Sequence, residues 1–184
     1  TRRVVYAQGI LIATVGVLAF IVGYFIGVAD KASDDGVRAQ GRPSGGPVQV
    51  EGTLTYRAGG NARADSGAVV LMLPAGGYPD EKVDPSSLRP SGGSSDSPAL
   101  RVLESLGGHY LKADGQGRFE ATLPSGDYHV VRVSASAKRS GAASRQQLQP
   151  AAKYFHPVED LVGDREFDVT TITLDADRDL SLEF

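Results

Sequence analysis

His109, His129 and His156 are the chain's three histidines, and a metal centre built on them would need spacing that the sequence lacks. No two stand four residues apart on one predicted helix, and there is no cysteine to add a thiolate. Asp175, Asp177 and Asp179 have the alternating acidic start of a calcium loop, but the sixth position is Leu180, where such a loop needs glycine for its sharp turn. A solvated turn is expected there. Serines are plentiful, yet none lies in a nucleophile-elbow pattern, and no glycine-rich stretch carries the lysine of a phosphate-binding loop. Asp114 and Asp127 stand among glycines, where a carboxylate caps turn amides, so they do not read as an acid/base pair. His129 falls on a predicted strand and is expected to face solvent. These residues predict no catalytic group, no metal site and no cofactor.

Charge narrows the partners. With 19 basic and 22 acidic residues the net charge is −3, and no basic stripe exists to track a phosphate backbone, so nucleic acid is not an expected partner. Hydrophobic residues make up 41% of the chain but are unevenly placed, with a dense block at the N-terminus.

That block, residues 4–29, is uncharged, with Gln8 its one strongly polar side chain. About 26 residues at 1.5 Å each give a helix of about 39 Å, enough to cross a hydrocarbon core of about 30 Å with some tilt. A cleaved signal peptide has a shorter apolar region, of about 7–15 residues. A single transmembrane helix over residues 1–29 in a lipid bilayer is therefore predicted. Arg2 and Arg3 on its near flank, against Asp30, Lys31, Asp34 and Asp35 beyond, predict a cytoplasmic N-terminus and a periplasmic or extracellular C-terminal domain. Gly9, Ala13, Gly16, Gly23 and Gly27 make a small-residue seam along which another helix could approach, either a membrane-helix partner or a second copy in a homo-oligomer. The same glycines also fit the general abundance of glycine in such helices. Residues 30–47, rich in Asp, Ser, Gly and Pro, predict a flexible linker.

Residues 48–184 predict one mainly β outer domain. Val48, Val50, Gly52, Leu54 and Tyr56 alternate with polar neighbours, as in a half-buried strand, whereas residues 68–73 are continuously apolar, as in a strand buried on both faces until Pro74 ends it. Ser97 and Pro98 cap a helix over 98–106 with Leu100, Leu103 and Leu106 on its apolar stripe and Gly107 and Gly108 as its stop. Strands at 110–113, 118–123 and 128–135 read as a meander, the last covered on both faces because Val131 adds to Val130 and Val133. Residues 138–163 predict short helices, one opened by Pro150 and one over 157–163, and residues 167–184 predict a closing hairpin.

The run Asp114-Gly-Gln-Gly-Arg-Phe-Glu-Ala-Thr-Leu-Pro-Ser-Gly-Asp-Tyr-His-Val resembles the signature of carboxypeptidase regulatory-like domains, as does the opening Val50-Glu-Gly-Thr-Leu-Thr-Tyr followed by Gly67-Ala-Val-Val. The resemblance implies a seven-stranded transthyretin-like β-sandwich, in which the D-x-x-G-x-F and L-P-x-G-x-Y strands pair. It also implies a folding, spacing or binding module without the peptidase's zinc site. The long 75–97 loop, the helix after it and the 138–163 segment depart from that pattern.

Long loops in compact domains are commonly functional or mobile. The 75–97 loop, with Tyr78, Asp80, Leu88 and Arg89, joined by Tyr154 from the later segment, is therefore the expected binding surface for a protein or glycan outside the cytoplasm, with Tyr78 and Tyr154 exposed. As a surface loop it should be removable at little cost in stability. The competing expectation is an accessory subunit of a membrane complex that docks through the glycine seam.

Overall fold

The computed structural model describes residues 46–92 and 96–184. The expected membrane helix, the expected glycine seam and all but the end of the expected linker fall outside the described residues, among which no helix is long and apolar enough to cross a membrane.

The described chain is mainly β. In order, its elements are β1 (Pro47–Ala58), β2 (Asn61–Ala64), β3 (Val69–Pro74), a 3-10 turn (Ser86–Leu88), α1 (Pro98–Ser105), β4 (His109–Lys112), β5 (Arg118–Pro124) and β6 (Gly126–Lys138). Then follow α2 (Arg145–Leu148), a second 3-10 turn (Ala151–Lys153), α3 (Glu159–Val162), β7 (Arg165–Leu174), β8 (Arg178–Asp179) and β9 (Leu182–Glu183). Sheet A centres on β1, antiparallel to β2 and β5 and parallel to β8 and β9; sheet B has the order β4-β3-β6-β7, antiparallel throughout.

Alternation explains the layers. In β1, Val48, Val50 and Leu54 are buried while Gln49 and Glu51 are exposed, so sheet A covers one face only. Val50, Leu54, Phe119 and Leu123 of sheet A meet Val70, Met72, Tyr128, Val130 and Ile172 of sheet B. β3 is buried at every residue because its other face, Val69, Leu71 and Leu73, packs with Val131 and Val133 under a third layer. That layer holds Leu88, Leu103, Leu148, Tyr154, Phe155, Leu161 and Val162, so it is built from α1 and the two segments that looked like insertions. Those segments bond each other: Val83 N–H donates to Tyr154 O (3.1 Å) and His156 N–H to Val83 O (3.0 Å).

Several expectations change. The strands at 110–113, 118–123 and 128–135 form no meander: β4 and β6 lie in sheet B, while β5 crosses to pair with β1 in sheet A. The D-x-x-G-x-F and L-P-x-G-x-Y strands therefore do not pair. The reason is their faces. Arg118, Glu120 and Thr122 make β5 polar on one side, which suits a sheet open to solvent, whereas β6 is buried at both Val130 and Val131 and needs cover on both sides. The closing hairpin is also absent. After β7 the chain returns to sheet A, where β8 and β9 run parallel to β1 and Leu180 enters the core between the sheets. With β2, β8 and β9 the described residues hold nine strands in place of the seven expected.

α1 matches its sequence signals: Ser97 Oγ accepts from Leu100 N–H (3.1 Å), Pro98 opens the helix, and Leu103 and Leu106 are buried. Two buried polar anchors join the layers. Asp65, fully buried, accepts from Ser134 Oγ (2.5 Å) and Ser136 N–H (3.0 Å). Arg132 donates to Asp168 and to Leu180 O (3.1 Å), tying sheet B to the tail on sheet A.

Candidate functional site

The 75–97 loop does not assemble the surface expected of it. Leu88 is 1% exposed and Tyr154 2% exposed, both in the core of the third layer, so neither can contact a partner. Leu88 is driven there as the loop's lone leucine, and Tyr154 because its ring packs against Phe155 while its hydroxyl donates to Pro74 O. Burial raises the Tyr154 phenol well above its ordinary pKa, with Tyr78 adding to the shift. Arg89 is held by the Asp160 carboxylate at 3.1 Å. Asp80 and Tyr78 are exposed. Tyr78 meets Tyr154 edge-on at 5.3 Å, donates to Ala75 O (2.6 Å) and receives Lys153 Nζ at 2.9 Å. Over residues 75–92 the loop is anchored to the core through Leu88 and Arg89, and Tyr78, Asp80, Glu81, Lys82, Asp84 and Ser86 are exposed.

The histidines are spread. His109 and His129 are half-buried and His156 is exposed. His129 is not on a solvent face as expected: it shares the covered face of sheet B with Val131 and Val133, its Nδ1 meets Thr171 Oγ1 at 2.8 Å, and its Nε2 is buried without a partner. Burial lowers the pKa of both His109 and His129, and Lys153 adds to the shift at His129.

A concave site lies instead on the open face of sheet A. A groove of about 490 Å³ is lined by Glu51, Gly52 and Thr53 of β1, Arg118, Phe119 and Glu120 of β5, Asp114 of the preceding turn, and Asp179 and Ser181 of the tail. Strand pairing builds it. Glu51 stands opposite Glu120 on one side and Asp179 on the other, so three carboxylates form one row across three strands. Like charges directly opposite weaken a sheet, and the row therefore stands at a cost to the pairing. Thr53 stands opposite Arg118, the groove's one cation. Among the described residues no three acidic or imidazole groups are grouped so as to hold a metal ion.

Hydrogen bonds fix the lining. Asp114 Oδ1 accepts from Gln116 N–H (2.8 Å) and Arg118 N–H (2.9 Å), the turn-capping role read from the sequence, and those bonds, Arg118's first, hold its pKa below the ordinary carboxylate range. Asp179 Oδ1 accepts from Ser181 Oγ (2.6 Å) and Ser181 N–H (2.7 Å), which lowers its pKa in the same way. Ser181 Oγ in turn accepts from Thr53 N–H at 2.8 Å, and Gln49 Nε2 donates to Glu120 at 2.6 Å. Gly52 has no room for a side chain: an added Cβ would stand 2.7 Å from Phe119 Cζ and 3.0 Å from the Leu180 carbonyl carbon.

No protein-family model and no curated protein matches the chain. Solved structures that resemble it include the minor pilin GBS52 of Streptococcus agalactiae, at 12% identity and a TM-score of 0.37 over 75% of this chain and 43% of the pilin. A Pseudomonas aeruginosa protein provisionally described as carbohydrate-binding is 12% identical, with a TM-score of 0.35 over 84% of this chain and 96% of its own. A DUF3823 family protein of Parabacteroides merdae is 16% identical, with a TM-score of 0.32 over 76% of this chain and 46% of its own. The chain thus spans less than half of the pilin and of the Parabacteroides protein. These likenesses are consistent with a β-sandwich and bear on nothing beyond that architecture.

The sequence reading missed the groove because each of its residues is ordinary alone. Glu51 and Glu120 occupy the polar positions of alternating strands, and Asp179 a polar tail. Only the pairing of β1 with both β5 and β8 sets them in a row.

Proposed function

We propose that the domain is a non-enzymatic binding module whose groove on sheet A takes a hydroxyl-rich ligand, a glycan, presented outside the cytoplasm to a chain anchored by its 4–29 segment. The row of Glu51, Glu120 and Asp179 carries this reading. Ionised carboxylates accept hydrogen bonds and cannot donate them, so the groove suits a ligand rich in donors. Asp114 and Asp179, held ionised by their own turn bonds, are poor general acids. A protein partner would need apolar anchors, and the one large hydrophobic side chain exposed among the described residues, Tyr78, is not among the groove's lining residues.

Binding of the full chain to a glycan array, followed by calorimetry on the best ligand, tests the reading. Glu51→Gln with Glu120→Gln keeps the shape and turns acceptor pairs into mixed groups. The double substitution should weaken binding about tenfold or more, as losing charge-assisted bonds of roughly 1.5–3 kcal/mol implies, while Tyr78→Ala leaves it unchanged. Equal binding by the Glu variants, or loss with Tyr78→Ala, would move recognition off sheet A.

A further inference from the structure

The outer edge of β7 is the longest open hydrogen-bonding edge of sheet B. β7 runs ten residues, Arg165–Leu174, against the four of β4 at the opposite edge, and it pairs on one side only, with β6. Among the described residues no backbone group outside β6 bonds to residues 166–174. The direction of each residue follows from its neighbours. Asp164 O accepts from Arg139 N–H, placing Asp164 toward β6, while the Arg165 and Thr173 carbonyls are met by the side chains of Arg139 (2.8 Å) and Arg178 (3.5 Å). Alternation then turns the N–H and C=O of Phe167, Val169 and Thr171 outward.

Edge strands are ordinarily blunted by proline, charged side chains, a bulge or short length. In β7 the charges, Arg165, Glu166 and Asp168, and the one irregular pairing, opposite residues 133–138, are confined to its first four residues, whereas residues 169–173 are five consecutive β-branched side chains without a charge or a proline.

We propose that β7 is a homodimer seam: two copies pair antiparallel about a two-fold axis at Val169, joining two four-stranded sheets into one of eight. With that axis Val169 stands opposite Val169, Phe167 opposite Thr171, Asp168 opposite Thr170 and Arg165 opposite Thr173. Every outward residue then meets an outward residue, and no like charges face each other. Moving the axis one residue toward the N-terminus sets Asp168 against Asp168, and two residues sets Glu166 against Asp168. Like charges directly opposite oppose pairing, so the acidic start of β7 excludes registers slipped toward its N-terminus. This surface is distinct from the glycine seam expected in residues 9–27 and independent of the groove on sheet A.

The chain has no cysteine, so single cysteines report on the seam without background. In the full chain, Val169→Cys brings two thiols together at an antiparallel pair whose Cα atoms are about 5.5 Å apart, within disulfide range. Thr173→Cys leaves its thiols eight residues apart along the strand, roughly 26 Å. Oxidation with copper phenanthroline should convert most of the Val169→Cys chain to a covalent dimer on a non-reducing gel and leave Thr173→Cys monomeric. Without oxidant, Thr173→Lys, which faces Arg165 twice, should weaken the sedimenting dimer roughly tenfold, and adding Arg165→Glu should restore it. A monomer at every concentration, a dimer that Val169→Cys fails to crosslink, or crosslinking through Thr173→Cys would each overturn the seam; the second of these would move the interface elsewhere.

Discussion

Among the described residues sheet B is covered on both faces and sheet A on one, and the two sides of the domain differ accordingly in where their polar residues stand. On the covered side, Leu88, Tyr154, Phe155 and Leu161 fill the layer, and Arg89 is tied to Asp160. On the open side, Glu51, Glu120 and Asp179 stand in a row that strand pairing disfavours. The side with more loop is the more structural one, and the plain strands carry the groove. A loop's length thus says little about whether it binds anything until its apolar residues have been followed to their partners.

The sharpest way to break that comparison is Leu88→Ala. A leucine 1% exposed among Leu103, Leu161 and Val162 loses its burial and leaves a cavity, so unfolding in urea should show a loss of about 2–5 kcal/mol. A loss below about 1 kcal/mol would restore the 75–97 segment to the removable surface loop that its composition suggests.

A smaller effect is expected on the other side, from Gly52→Ala. The new methyl meets Phe119 and the Leu180 backbone, neither of which can swing freely, and overpacking of this kind costs about 1–3 kcal/mol. Because Gly52 lines the groove, the same variant should also change ligand binding, whereas Leu88→Ala, once folded, should not. Denaturation and calorimetry on the two variants therefore separate the sides: one loses stability alone, the other both.

Local patterns were legible in the sequence and pairings were not. The alternation of Val48, Val50 and Leu54, the solid run of β3 and the Ser97 cap each depend on residues within one turn or one strand of each other. Which strand lies beside which depends on contacts between distant segments, such as Glu51 with Asp179, and alternation fixes a strand's faces without naming its neighbours. β5 looked like a partner for β6 because only a short turn separates them. Its polar face was the contrary signal, since Arg118 and Glu120 could not have been buried under the third layer. Leu88, a single apolar residue among Pro, Ser and Gly, carries no periodicity, so its burial became visible only with the 138–163 segment folded against it.

The smallest expected effect reads how firmly the covered side is closed at its margin. His129 lies there with its Nε2 buried and unpartnered, and burial together with Lys153 lowers its pKa, as burial alone does for His109. In the unfolded chain both titrate near the ordinary value of about 6.5. Between that value and the lower folded one the unfolded state binds more protons, so their contribution to stability is complete above about pH 6.5 and is lost as pH falls toward the folded pKa. Asp114 and Asp179, whose folded pKa values are lowered, lose theirs only below the carboxylate range, so the interval from about pH 7 to 5 belongs to the histidines. Calorimetric Tm should fall across that interval, fall less in His129→Gln, and stay nearly flat when His109→Gln is added. An unchanged slope in His129→Gln would mean that a proton reaches Nε2 at little cost, and that the third layer opens beside Lys153 more readily than its packing elsewhere implies.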